Sequence, residues 1–359
     1  MSTVPDVAIV GGGIVGAACA LECKRAGLSV EVYEQSVVGG GATAAGMGHV
    51  VVMDDSEAQF ALTHYSSKLW RALAKELPAS AEYLPCGTLW VAADDEEMGE
   101  VHRKREFYEA RGVPVEGLDS RQLAEAEPHL RAGLAGGLLV LQDCVVYPPV
   151  VAQWLLDQAG VTVHHDAVRA LSEVSAGIVV NAMGAKAARL SKGIPVAPRK
   201  GHLVITDRYP GYVRHQLVEL GYLTSAHGSG SESVAFNVQP RRGGQLLIGS
   251  SRQFGTTDAS CEPHLIDRIV TAATRYLPGI GGLQALRCWT GFRPATADHL
   301  PLIGRATSGV WYATGHEGLG ITTAPATARL LVELMRGETP HLPAEAFAAD
   351  RFLNEVVHA

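Results

Sequence analysis

The sequence predicts an α/β fold in which one unit, built on a parallel sheet, is assembled from separate stretches of chain. An α+β domain containing an antiparallel sheet is threaded between those stretches. Three observations predict this. An apolar run, Val7 to Val10, leads into Gly11-Gly12-Gly13-Ile14-Val15-Gly16, a helix-like stretch to Gly27, a second apolar run from Ser29 to Tyr33, and then Glu34. Near the other end, Val310 to Thr314 reads as a buried strand running into Gly315-His316-Glu317-Gly318-Leu319-Gly320 and a helix from Ile321 to Arg336. Between them, His202 to Thr206, Val234 to Val238 and Gln245 to Gly249 read as short strands, with a hairpin turn at Arg241-Arg242-Gly243-Gly244.

The first segment is strand, glycine turn, helix, strand and acid, the dinucleotide-binding fingerprint in its required context. Gly11 allows the tight turn, Gly13 lets the backbone approach a pyrophosphate, and Gly16 lets the helix pack close to the strand. The helix start, Ile14 and Val15, offers unpaired N–H groups and a partial positive charge to phosphates. Glu34 follows Gly16 by 18 residues, with Gln35 beside it, where a carboxylate grips an adenosine ribose. The plainer reading is a glycine-rich loop of some other α/β protein.

A chain of 359 residues predicts two domains or one large α/β unit with an insertion. The apolar fraction of 47% and charged fraction of 19% suit a soluble protein with a sizeable core. A net charge of −7 without any basic run disfavours a nucleic-acid surface. No charged segment followed by a long apolar one opens the chain, and no apolar segment reaches about 18 residues, so a cytoplasmic location is expected, with membrane association only through a partner. The six cysteines show no metal or cluster spacing. No metal is expected, and the thiols read as reduced.

In order along the chain, Gly39 to Gly48 is a glycine- and alanine-rich loop and Ser56 to Leu77 a helix with apolar spacing at Phe60, Leu62, Leu69 and Leu73. Leu84 to Ala93 is a strand, Asp94 to Gly112 a charged, solvent-facing helix, and Leu138 to Tyr147 a strand and turn closed by Pro148-Pro149. Val150 to Ala159 is a helix, Val161 to His164 and Gly177 to Met183 are strands of the first unit, and Leu265 to Leu277 is a helix. The nucleotide unit therefore takes residues 1–80, 148–195 and 293–359, and the interleaved domain takes 81–147 and 196–292. Arg293 stands alone in Cys288-Trp289-Thr290-Gly291-Phe292-Arg293-Pro294, a stretch with no other charge. An arginine among aromatic and small residues needs an anionic partner. That partner is a substrate carboxylate held in a bidentate pair, or a structural acid such as Asp298.

Four blocks resemble the D-amino-acid oxidase superfamily of FAD enzymes, and most of all its glycine oxidase branch. They are Gly11 to Glu34; Ala44-Ala45-Gly46-Met47; Arg293-Pro294-Ala295-Thr296-Ala297-Asp298 with Pro301-Leu302-Ile303-Gly304; and Gly315 to Ile321. That branch includes D-amino-acid and D-hydroxyproline dehydrogenases and FAD subunits of opine oxidases and hydrogen cyanide synthase. The resemblance implies a discontinuous Rossmann-like FAD-binding domain and an interleaved substrate domain. It implies FAD contacts from Gly41, Ala42, Thr43, Ala45, Gly46 and Met47, whose small side chains let a flat ring lie against backbone, and from Val168 at the adenine. It places the amides of Gly315, His316, Glu317, Gly318, Leu319, Gly320 and Ile321, with the Thr322 hydroxyl, at the pyrimidine end of the flavin. A helix N-terminus there stabilises the charge of the reduced ring.

The implied substrate is a small amino or cyclic imino acid of the D-amino-acid or D-proline type, its carboxylate on Arg293 and its α-hydrogen passing to flavin N5 as hydride. Tyr222 and Asn237 are candidates to project toward it from the second domain. No firm catalytic side chain is implied; His49 is the weak candidate. The FAD is expected to be non-covalent, because Cys288 lies three residues further upstream than the cysteine sarcosine oxidases use. Val234 to Arg252 looks closer to the hydroxyproline and opine relatives, which favours a dehydrogenase over an oxygen-using glycine or sarcosine oxidase. The electron acceptor stays open between oxygen, quinone and a partner subunit, and homo- or hetero-oligomers remain open too. Rival readings are a nicotinamide dehydrogenase, which does not explain the Gly315 loop, and a disulfide reductase, which needs a cysteine pair beside the flavin. A third is an FAD subunit serving assembly or electron relay within a larger complex.

Overall fold

A computed structural model describes residues 4–221 and 232–352 of the chain. Contacts gather these into two compact units. One takes the chain up to Ala81, Val146–Arg199 and everything from Phe292 on; the other takes Glu82–Val145 and Lys200–Gly291.

The first unit is built on a six-stranded sheet, in the order Leu302–Arg305, Trp311–Thr314, Ile178–Asn181, Val7–Val10, Val30–Tyr33, Thr162–His164. Five strands are parallel; the Leu302–Arg305 edge strand alone runs antiparallel to its neighbour. Val7–Val10 is buried at every position, as an inner parallel strand covered on both faces requires. The Ile14–Arg25 helix packs against two others, Pro148–Ala159 and Gly320–Arg336. Pro148 opens its helix instead of closing the preceding turn, because the first helical position needs no N–H and suits the fixed φ of proline. The Gly39 to Gly48 loop contains a single helical turn, Ala42–Ala45.

Close approach at the first turn explains two glycines. Gly11 has φ +116°, and a Cβ on it would lie 2.5 Å from the Ala182 carbonyl oxygen. A Cβ on Gly16 would lie 1.9 Å from the Gly11 carbonyl oxygen. The helix can start at the end of the strand only with hydrogen at position 16.

The second unit carries an eight-stranded sheet in the order Ala285–Ala295, Ala197–Arg208, Gln245–Gln253, Glu232–Pro240, Gln216–Glu219, Thr88–Ala92, Gly136–Val140, Val115–Asp119. The expected hairpin is there, closed by Arg241 N–H to Gln245 C=O and Gly244 N–H to Arg241 C=O, both 2.8 Å. Gln216–Glu219 departs from the antiparallel expectation by running parallel to Thr88–Ala92. Leu89, Leu217, Phe236, Val238, Ile248 and Ile269 form the core beneath the Pro263–Tyr276 helix. The charged helix, Asp95–Glu109, is not wholly solvent-facing. It buries Val101, Lys104 and Tyr108, and the Lys104 ammonium sits 4.6 Å from the Trp90 ring centroid. The ring face offers the buried cation an electrostatic partner. Among the described residues, no helix is long and apolar enough to cross a membrane.

Gly16→Ala must push the first helix off the Gly11 carbonyl. The expected outcome is a loss of about 1–3 kcal/mol, the usual cost of overpacking, read as a lower denaturant midpoint.

Candidate active site

Three segments of the first unit converge: the Gly11–Gly16 turn, the Gly41–Met47 loop and the Gly315–Thr322 loop. Thr43 joins the first two. Its buried hydroxyl oxygen accepts the Ile14 N–H at 3.1 Å, capping a helix whose own N-cap, Gly13, has no side chain to do so. A Cβ on Gly13 would find only this hydroxyl, at 3.4 Å, and one on Gly41 would find nothing within 4 Å. Gly46 joins the second and third segments, since a Cβ there would lie 2.9 Å from Ile321 Cδ1. Val15 lies beside Gly320, completing the ring of contacts.

Glu34 is bound to the turn it follows. Its Oε2 accepts the Gly12 N–H at 2.9 Å, and its Oε1 accepts the Ser36 N–H at 3.1 Å and hydroxyl at 3.0 Å. The carboxylate thus pins the glycine loop while keeping acceptor capacity for a ribose hydroxyl. Gln35, Gly41 and Ala42 are exposed, Ala45 is half-buried, and Met47 is buried. Val168 packs against Ala8, Val10 and Val174 at the edge of the unit's core.

The third segment is organised by its side chains more than its sequence suggests. His316 is 3% exposed and shares a 3.0 Å hydrogen bond with Thr327. Burial pushes its pKa down to about 3, so the ring is neutral near pH 7 and packs instead of carrying charge. The Glu317 carboxylate is held by two neighbours. With φ +48°, Glu317 pairs with the buried Arg199 guanidinium through one oxygen and with His299 Nδ1, at 2.5 Å, through the other. Its own N–H donates to Pro294 C=O at 2.8 Å, tying the loop to the arginine stretch. The Thr322 hydroxyl, expected as a free donor, is already committed: it donates to His49 C=O at 3.0 Å and accepts the Val51 N–H. His49 enters the arrangement through that backbone carbonyl.

The Gly320–Arg336 helix starts at Leu319 without a side-chain cap, and no acidic residue lies in its first turn. Pro325 lies inside it and lacks the N–H that would reach the Ile321 carbonyl. The Glu57–Leu73 helix makes good the loss. Trp70 Nε1 donates to Ile321 C=O at 3.1 Å and to Thr322 C=O at 2.9 Å. The Ser66 hydroxyl donates to Thr322 C=O at 2.6 Å and accepts the Ala326 N–H at 3.3 Å. Trp70, Ser66, Arg199 and His299 were not singled out in the sequence; a proline inside an apolar helix was the one available sign of the first pair.

Arg293 is half-buried, its Nε beside the Gly318 backbone. Asp298, the structural acid considered for it, is held instead by Arg351 in a bidentate pair at 2.7 and 2.8 Å. In the second unit, Asn237 is 4% exposed, and its Oδ1 has no hydrogen-bond partner among the described residues. Tyr222 lies outside the described residues.

The Glu317 hydrogen bond raises the His299 pKa above its ordinary value, against burial and Arg199, with Asp55 adding to the rise. A raised folded value stabilises the protein fully below the unfolded value of about 6.5 and ceases to do so as pH rises through the folded one. The melting temperature of the native chain should therefore exceed that of His299→Gln most near pH 6, with the gap shrinking toward pH 9.

The same arrangement of segments recurs in known proteins. Glycine oxidase of Geobacillus kaustophilus is 28% identical over 382 residues, covering 98% of each chain. The hydrogen cyanide synthase subunit HcnC of Pseudomonas aeruginosa is 28% identical over 422 residues, covering 99% of this chain and 98% of its own. The crystal structure of glycine oxidase from Geobacillus kaustophilus superposes with a TM-score of 0.86 over 97% of this chain and 99% of that one. The model of the DAO family, described as FAD dependent oxidoreductase, matches residues 6–334, so the chain belongs to that family of FAD-dependent oxidoreductases.

Proposed function

We propose that this protein oxidises a small amino or cyclic imino acid, with Arg293 holding the substrate carboxylate. The supporting observation is the placement of Arg293, a half-buried cation whose guanidinium lies beside the backbone of Gly318 in the third loop. Glycine oxidase and a hydrogen cyanide synthase subunit among the relatives agree with a small substrate. Bound FAD supplies the acceptor for a hydride from the substrate α-carbon.

The residues of the chain fit that cofactor. The Val15 and Gly16 amides begin a helix with no acidic residue in its first turn and would receive the pyrophosphate. Glu34 would take the ribose with its remaining acceptor positions. The amides from Gly318 to Ile321 begin a second helix of the same character and would stabilise negative charge on the ring. Burial lowers the His316 pKa to about 3, so the ring holds the loop and is too weak a base to take a proton from the substrate amine. The substrate amine therefore has to reach the reaction unprotonated, and the protein contributes orientation through Arg293 and electrostatics through the helix ends.

Purified protein should be yellow and should release its flavin on denaturation. Under anaerobic conditions the flavin should bleach with at least one of glycine, sarcosine, D- or L-proline, cis-4-hydroxy-D-proline, D-alanine and an opine. If none bleaches it, the amino-acid reading fails. Readmitting oxygen to the bleached sample then distinguishes an oxidase from a dehydrogenase by the rate at which colour returns.

Replacing the planar fork with a point charge gives the second test. Arg293→Lys should raise KM by about 10–100-fold, equivalent to losing a charge-assisted bidentate bond, with FAD content unchanged. Loss of FAD instead would place Arg293 at the cofactor.

A further inference from the structure

The fold sorts the six cysteines by chemistry. Cys19 and Cys23 are buried in the first helix, where burial raises the first well above its usual value and the second to about 12. Cys144 is buried, and burial raises Cys86 to about 12 as well. Thiols in such surroundings stay protonated and inert. Cys261 and Cys288, both in the second unit, are more accessible than these, although burial and the neighbouring Cys288 raise the Cys261 thiol too. Cys288 is exposed on Ala285–Ala295, the outermost strand of the eight-stranded sheet. Cys261 is partly exposed in the loop before the Pro263–Tyr276 helix, and its thiol is hydrogen-bonded to Cys288.

Neighbouring contacts hold the two sulfurs together. The Thr290 hydroxyl donates to Ala259 C=O at 2.5 Å, so the loop is fastened to the strand two residues from each cysteine. On the other side of Cys261, Glu262 accepts Lys200 Nζ at 2.8 Å, and its N–H donates to His202 Nε2 at 3.2 Å. Lys200 and His202 are both fully buried and anchor the loop on the sheet.

We propose that Cys261 and Cys288 are a reversible thiol–disulfide site, oxidised by a hydroperoxide and restored by a dithiol. The Cys288 thiolate, the more exposed of the two, attacks the peroxide. The O–O bond breaks, leaving Cys288 as a sulfenic acid and releasing water or an alcohol. The Cys261 sulfur then attacks the Cys288 sulfur, the S–O bond breaks, and the departing hydroxide takes the Cys261 proton as water. Two thiols lose two electrons and two protons in total, and the hydroperoxide gains them. The bridge covalently fastens the loop ahead of the Pro263–Tyr276 helix to the edge strand.

The test uses the full-length, FAD-loaded protein, exposed to stoichiometric hydrogen peroxide, blocked with iodoacetamide and digested with trypsin without reductant. The expected product joins the peptides Gln253–Arg268 and Cys288–Arg305 at a mass about 2 Da below their sum, and dithiothreitol separates them. In Cys261→Ser, Cys288 should advance to the sulfinic acid because no resolving thiol remains. The proposal is overturned if the native chain yields no joined peptide and instead accumulates Cys288 sulfinic acid or a disulfide between two chains. The mapping of the native chain stands whether or not the variant folds.

Discussion

The closeness of the first helix to the first strand is the constraint on which the candidate site depends. A Cβ at Gly16 would stand 1.9 Å from a backbone oxygen, so the helix starts where it does only because position 16 carries no side chain. That start fixes where the amides of Ile14, Val15 and Gly16 point. Thr43 then holds the Ile14 amide from one side and Glu34 the Gly12 amide from the other. A longer side chain at Gly13 would narrow the space these amides face. The candidate site is thus a set of backbone donors held by a few side chains, and its strength as an anion site rests on their prearrangement.

Side-chain charge is sparse at the two helix starts. Neither helix that begins at the site carries an acid in its first turn. The one carboxylate inside the third loop, Glu317, is neutralised by Arg199 and His299. The arrangement leaves the field of the helix ends unopposed, which suits a phosphate-bearing cofactor and an anionic substrate alike. It also separates two histidines that look equivalent in sequence: His316 is buried and stays neutral, while His299 is half-buried and holds its proton more tightly.

What could be read from the sequence follows from how local each requirement is. The spacing of Gly11, Gly13 and Gly16 encodes steric demands within a single turn, so the strand–turn–helix and its ligand class were legible. Val7–Val10 and Trp311–Thr314 are short, apolar and bounded by glycine, and they are strands as expected. The Ala285–Ala295 strand was not legible, because as an edge strand it is exposed over its first four residues and shows no alternation. The Glu317 backbone amide is an expectation of the Gly315 to Ile321 motif, which says nothing of its carboxylate. The partners of that carboxylate come from stretches 118 and 18 residues away, and no local pattern announces such a meeting. Lys104 was missed for a similar reason: a charged helix looks solvent-facing until the ring of Trp90, on a neighbouring strand, covers one of its cations.

Pro325 has a consequence for how the protein assembles. The opening turn of its helix cannot complete its own hydrogen bonding and depends on Trp70 and Ser66, which lie 251 to 260 residues earlier in the chain. Contacts of such long sequence separation slow folding, because a long loop has to close before they can form. During synthesis the N-terminal glycine turn can take shape while the third loop is still without its support. The third loop therefore gains its full support only when the Gly320–Arg336 helix docks against the Glu57–Leu73 helix.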